Sequence, residues 1–316
     1  MQKRNLGKSG LETAPFCIGG NVFGWTADEQ TSFRLLDRCV EAGVTLIDTA
    51  DVYSAWMPGH KGGESETVIG AWLKARGPAT RAKVLIATKV GMLAGRQGLK
   101  KANIAAACED SLKRLNIDVI DLYQSHRDDE ETPQEETLEA FGSLIKAGKV
   151  RAIGASNFTA ARLKAALETS AKHGLPRYET LQPLYNLSDR AGFEGALQDL
   201  CAKEGVSVIP YYGLASGFLT GKYRSEADFK KSIRGMRMGN YLNERGLKIL
   251  AAMDKVAAET KATLAQIARA WLASRKTIAA PIASATSLTQ LDELLGSLKV
   301  ELSPAQIAAL DAASAG

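Results

Sequence analysis

Short runs of consecutive apolar residues alternate with longer stretches whose apolar positions recur at helical spacing. The first run, Phe16-Cys17-Ile18, stops at Gly19-Gly20. A helix is expected from about residue 28, its face carried by Phe33, Leu36, Cys39 and Val40. Further strands are expected over 44–47, 84–88, 119–124, 150–155, 180–184, 206–210 and 277–281. Helices are expected over 64–75, 103–115, 133–147, 159–173, 193–204, 244–260, 264–274 and 287–295. Residues 213–240 read as irregular. Thr132 with Pro133 behind it is a helix start, and Gly174 is placed as a helix-ending glycine. Ser303-Pro304-Ala305-Gln306 is a capping box for a last short helix, and Gly7-Lys8-Ser9-Gly10 is the turn of a hairpin over 5–14.

Apolar runs that do not alternate belong to strands buried on both faces, as in a parallel sheet covered by helices. About eight strand–helix units close into a (β/α)8 TIM barrel, an α/β fold, here with an N-terminal hairpin and extra C-terminal helices. An open doubly wound sheet is the competitor. No G-x-G-x-x-G follows any strand, so a dinucleotide would not be held by that fingerprint. With no linker or low-complexity segment, one domain is expected over residues 1–316.

Composition narrows the function more than the fold. The 316 residues, 45% hydrophobic and 24% charged, are ordinary for a soluble globular protein. The net charge of +5 is spread along the chain without a basic stripe, which suits a phosphate-bearing small ligand and not nucleic acid. Cys17, Cys39, Cys108 and Cys201 are scattered, without metal-type pairing, and read as core thiols of a reducing compartment. The start lacks an apolar signal core and no run approaches ~18 apolar residues, so a cytoplasmic protein without a membrane partner is expected. No metal site is expected, because the His/Asp clusters of a metal-dependent hydrolase are missing. Oligomeric state is not encoded legibly.

In a barrel the chemistry sits at the C-terminal strand ends. Those positions here are Gly20, Asp48 with Tyr53, Lys89, His126, Ser156 with Asn157, Gln182 and Tyr211. A phenol, an ammonium, an imidazole and a carboxylate, four groups on successive rim positions, suggest acid–base work on a polarised oxygen. A free phenol has a pKa of about 10, too weak an acid near neutrality, so Lys89 is expected to lower it and Asp48 to orient Lys89. His126 is expected to bond the same substrate oxygen.

These residues lie in motifs that resemble the aldo-keto reductases nearly end to end. The matches are Ile47-Asp48-Thr49-Ala50 with Tyr53, Gly63-Glu64-Ser65-Glu66, Thr88-Lys89, and Asp121-Leu122-Tyr123 before His126. They continue through Gly148 to Phe158, Gln182-Pro183-Leu184-Tyr185-Asn186, and Leu214 to Tyr223. The resemblance implies a catalytic tetrad of Asp48, Tyr53, Lys89 and His126, with Tyr53 as general acid in reversible reduction of aldehydes and ketones. By the same resemblance Ser156, Asn157 and Gln182 would bond a nicotinamide carboxamide and Tyr211 would stack on its ring. Leu214, Ser216, Gly217, Leu219 and Lys222 would lie along the pyrophosphate, with Ser284, Thr286 and Gln290 at the adenosine end. NADP(H) is the cofactor implied first, with NAD(H) second, and a carbonyl or alcohol the small-molecule partner. A non-catalytic barrel acting as redox sensor or partner subunit is the rival reading.

The chain departs from the pattern twice. Residues 281–294 contain no Lys or Arg, the usual partners of an adenosine 2′-phosphate. Residues 54–62 form a long insertion in which Trp56 and Met57, with Trp25 from the preceding unit, are expected to wall the substrate site; an exposed loop tip is the alternative.

Overall fold

The structure is a computed structural model that describes residues 2–231 and 233–315. Two short strands, β1 (Arg4–Asn5) and β2 (Glu12–Thr13), pair antiparallel as the expected hairpin. Eight parallel strands follow: β3 (Cys17–Gly19), β4 (Leu46–Asp48), β5 (Leu85–Val90), β6 (Ile120–Ser125), β7 (Val150–Ser156), β8 (Tyr178–Gln182), β9 (Ser207–Val208) and β10 (Ile282–Ala283). Their order is β10-β3-β4-β5-β6-β7-β8-β9. A bridge between Val208 and Ile278, with the Ala279 amide 2.8 Å from the Val208 carbonyl, joins the two ends of the order. This is the (β/α)8 barrel, not the open sheet.

The last strand differs in detail from the expected 277–281. Its first half bonds β9, whereas β10 pairs with β3 and starts at Ile282. Pro281, between the halves, has no N–H to give the ladder. Around the barrel run α1 (Glu29–Glu41), α2 (Glu64–Arg76), α3 (Pro78–Arg81), α4 (Lys101–Leu115), α5 (Gln134–Lys146) and α6 (Ala160–His173). They are followed by α7 (Ala196–Glu204), α8 (Glu244–Thr260), α9 (Leu264–Ala273), α10 (Leu288–Gly296) and α11 (Pro304–Ser314). Gly174 ends α6 at φ +62°, and the Ser303–Gln306 box opens α11. Thr132 does not cap α5: Pro133 takes the cap, and the Thr132 hydroxyl donates to Asp129 at 2.7 Å. The segment read as irregular contains 3-10 turns over Ala215–Thr220, Glu226–Lys231 and Ile233–Asn240; Ser232 within it lies outside the described residues.

The hairpin closes one end of the barrel. Leu6 and Leu11 pack with Cys17, Leu46, Ala87, Leu122, Ala152 and Ile209, which fill the barrel interior. Gly7 is required there: at φ +61° it lies so near the Glu179 carbonyl that a Cβ would stand 2.4 Å from it. The opposite rim is therefore the open one, where the C-terminal strand ends gather.

Helix α2 ties that rim to the helical layer. Gly70 lets it approach α4 so closely that a Cβ would meet the Arg114 carbonyl at 2.1 Å. The fully buried Glu66 accepts from Arg114 Nε at 2.6 Å and Thr88 Oγ1 at 2.5 Å. Its neighbour Asp51 is 1% exposed, and neither of its carboxylate oxygens meets a well-formed donor among the described residues. Burial and the Glu66 charge push the Asp51 carboxyl up to about 7. The unfolded chain holds that group near 3.9, so between about pH 4 and pH 7 it binds fewer protons than the folded one, and stability falls as pH rises. The loss reaches up to about 4 kcal/mol. Asp51→Asn, read by urea unfolding, should therefore raise the midpoint near pH 8, with the gain shrinking to nothing near pH 4. Loss of stability at both pH values would contradict this account.

Candidate active site

Three strand ends and one turn build a buried polar cluster on the open rim. Asp48 ends β4, Lys89 lies near the end of β5, and His126 follows β6, its amide bonded to Val90 O at 2.9 Å. Tyr53 stands in the turn after β4, held by its amide to Ala50 O and by the Gly63 amide to its own carbonyl. Lys89 is fully buried, and its Nζ donates to Asp48 Oδ2 at 2.6 Å, Thr49 O at 2.8 Å and the Tyr53 oxygen at 3.2 Å. All three ammonium hydrogens thus have acceptors. Because Tyr53 accepts from Lys89, its own hydrogen is left to point elsewhere.

The other oxygen of Asp48 is held too. Oδ1 accepts from Gln182 Nε2 at 2.9 Å and from Gln124 Nε2 at 3.3 Å, and the two amides bond each other at 3.3 Å. Gln124 is a site residue the sequence reading missed. Its signal was visible: a glutamine inside the apolar run of β6 must find a buried polar partner.

The electrostatics follow from this packing. Burial alone would lower the Lys89 ammonium, but Asp48 and Tyr53 outweigh it and hold the group above its ordinary value. The Tyr53 phenol is pushed by burial up to about 12, with Lys89 pulling only part of the way back. That corrects the expectation of a lowered phenol: the charge of Lys89 is spent largely on Asp48, and desolvation wins. Burial first, then Lys89 and Arg127, pull the His126 imidazole well below its usual value, so it is neutral near pH 7. Its Nδ1 is buried without a partner among the described residues.

Above this cluster opens a cavity of about 580 Å³. It is lined by Asp48, Tyr53, His126, Ser156, Asn157, Gln182, Tyr211, Leu214, Ser216, Gly217, Ser284, Trp25 and Trp56 among the expected residues. Asn21, Met92 and Tyr212 also line it and were not foreseen. They sit in loops, whose course the chain's periodicity does not encode. Asn157, at φ +57°, ties the strand ends together: it donates to His126 O at 3.0 Å and Ser156 Oγ at 3.1 Å and accepts from the Tyr211 hydroxyl at 2.8 Å. Ser156 in turn donates to Gln182 O at 2.9 Å. Tyr211 is thereby a fixed aromatic face.

The turn Leu214–Gly217 runs along one wall, with Ala215, Ser216 and Gly217 all at positive φ. Lys222 approaches it from outside, its Nζ 3.7 Å from where a Gly217 Cβ would stand. Leu219 is not among the lining residues: its side chain is buried in the core and its amide is bonded to Leu214 O. Thr286 and Gln290 lie beyond the cavity, where Gln290 Oε1 accepts from both the amide and the hydroxyl of Thr286. Ser284 stays on the wall, donating to Asn21 Oδ1 at 2.5 Å. Arg38, on α1, is tied to Asp292 of α10 at 2.8 Å.

The insertion over 54–62 is anchored by Glu64, whose carboxylate accepts from the amides of Ser54, Lys61 and Gly62. Trp56 meets Trp25 edge-on at 5.5 Å between centroids and Tyr53 at 5.8 Å. Met57 is not among the residues that line the cavity. His60 bonds Ser54 at 2.8 Å, and no group of three or more metal-type side chains gathers among the described residues.

The donor set fits a nicotinamide dinucleotide. Hydroxyl and amide groups at Ser156 and Gln182 match an amide, the fixed Tyr211 face matches a flat ring, and backbone at positive φ matches a diphosphate. The model of the Aldo/keto reductase family matches residues 15–315. Protein tas of Escherichia coli (strain K12) is 33% identical over 339 residues, covering 99% of this chain and 97% of its own length. Aldo-keto reductase AFTS1 of Alternaria alternata is 32% identical, covering 95% and 88%. A probable voltage-gated potassium channel subunit beta of Oryza sativa subsp. japonica is 31% identical, covering 95% and 92%. With a family match over nearly the whole chain and a barrel rim built as described, the chain belongs to the aldo/keto reductase family.

Proposed function

We propose that the chain is a nicotinamide-dependent oxidoreductase that interconverts aldehydes or ketones and alcohols, with Asp48, Tyr53, Lys89 and His126 as its catalytic residues. The observation that carries this reading is the buried Lys89, paired with Asp48 and donating to the Tyr53 oxygen. When bound, the reduced nicotinamide supplies a hydride to the carbonyl carbon. Tyr53 gives its proton to the carbonyl oxygen: the phenol O–H breaks, an alcohol O–H forms, and the phenolate left behind faces the Lys89 ammonium. Asp48 keeps that ammonium charged and aimed. Neutral His126 lies with its ring 5.9 Å from the Tyr53 ring, where it can bond the same oxygen. Ser156, Asn157, Gln182 and Tyr211 hold the amide-bearing ring, the Leu214–Gly217 turn and Lys222 face the diphosphate, and Ser284, Thr286 and Gln290 face the adenosine end.

NADP(H) is proposed first on family grounds and NAD(H) second. The protein is read as cytoplasmic; no described helix is long and apolar enough to cross a membrane. The name of the rice relative supports a second reading, a cofactor-holding subunit of a larger assembly. The complete tetrad favours catalysis.

Replacing Tyr53 with Phe removes the proton donor and should lower kcat/KM for an aldehyde by about 100-fold or more, with cofactor Kd unchanged. Loss of cofactor binding, or retained turnover, would contradict the assignment. With the phenol protonated up to about 12 and His126 neutral, kcat/KM for reduction should stay level from about pH 6 to pH 9, whereas alcohol oxidation should climb throughout. A break in reduction near the usual histidine range would count against it. Fluorescence titration should give a lower Kd for NADPH than for NADH, by a modest factor because no cation lies within 281–294; equal or reversed values would overturn the cofactor order.

A further inference from the structure

Among the described residues six large hydrophobic side chains are markedly exposed, and three of them, Trp56, Met92 and Tyr212, line the cavity that holds Tyr53 and His126. Exposed apolar area concentrated on a single concave site marks a surface meant to be covered. Trp25 adds to it, locked edge-to-face against Trp56, which itself meets Tyr53. The Trp56 loop is held in place by three amides on Glu64, so this wall is preformed.

The charges around the cavity are equally one-sided. Among the described residues none that lines it is Lys, Arg or Glu. Asp48 is neutralised by Lys89, and that ammonium already has three acceptors. Arg127 is exposed and stands outside the lining. A carboxylate or phosphate next to the reacting carbonyl would lose water with no cation to receive it.

We propose that the substrate is a neutral carbonyl compound with an aromatic or conjugated face next to the carbonyl, seated against Trp25 and Trp56. This deepens the proposed function and rests on it. Trp56 is then a specificity-determining residue: edge-to-face contact and burial of a ring are worth about tenfold in kcat/KM.

The test uses the wild-type holoenzyme with reduced cofactor and matched pairs of carbonyl compounds. Methyl phenylglyoxylate and phenylglyoxylate differ only in charge beside the ketone; the ester should exceed the acid by about 30-fold or more in kcat/KM. Benzaldehyde should exceed propanal, and in Trp56→Ala that ratio should fall by about tenfold. The charged pair is read in unaltered protein, so it does not depend on the variant folding. Equal or better use of phenylglyoxylate, or an unchanged benzaldehyde-to-propanal ratio in the variant, would overturn the substrate class while leaving the reductase intact. Oxidation of cofactor by none of the four compounds would overturn the substrate class together with the reductase reading beneath it.

Discussion

A lysine ammonium with no exposure to water is the constraint on which this rim depends. Burying such a charge unpaired costs far more than a fold can spare, so Lys89 exists only because Asp48 stands 2.6 Å away and a carbonyl and a phenol take the other hydrogens. The three partners come from one short stretch, Asp48 to Tyr53, that leaves β4. The pair therefore fixes the turn, and the turn fixes the phenol. The Gln124–Gln182 amide pair on the far oxygen of Asp48 extends the same logic round the barrel to β6 and β8.

The arrangement explains how a tyrosine can act as an acid without being a strong one. Burial keeps the phenol protonated, and a fixed ammonium waits beside its oxygen to receive the charge that proton loss creates. The stabilisation is directed at the product of proton transfer and not at its starting state, which is the useful place for it. The price appears nearby, in Asp51 and Glu66, where packing under the rim leaves one carboxyl poorly satisfied.

Much of this was legible in the chain because strand ends are. Asp48, Lys89 and His126 each close an apolar run, and barrel geometry then brings runs that are adjacent in sequence side by side. Helix ends that rest on local chemistry, such as Gly174 and the Ser303 box, were legible for the same reason. Thr132 was not, since Asp129 competes for its hydroxyl through a turn the periodicity does not show. Met57 was misplaced because the path of its loop is set by three amides reaching Glu64, a contact with no sequence period. The net shift of Tyr53 was misjudged since it depends on burial depth, which a sequence does not state.

The central claim is that Tyr53 transfers a proton in step with carbonyl reduction. Single-turnover decay of the reduced-nicotinamide absorbance, with a neutral aromatic aldehyde in H2O and in D2O, addresses it directly. The account predicts a decay that is slower in D2O for the wild-type protein. A decay of equal rate in both solvents, or no decay with any carbonyl compound, would contradict it.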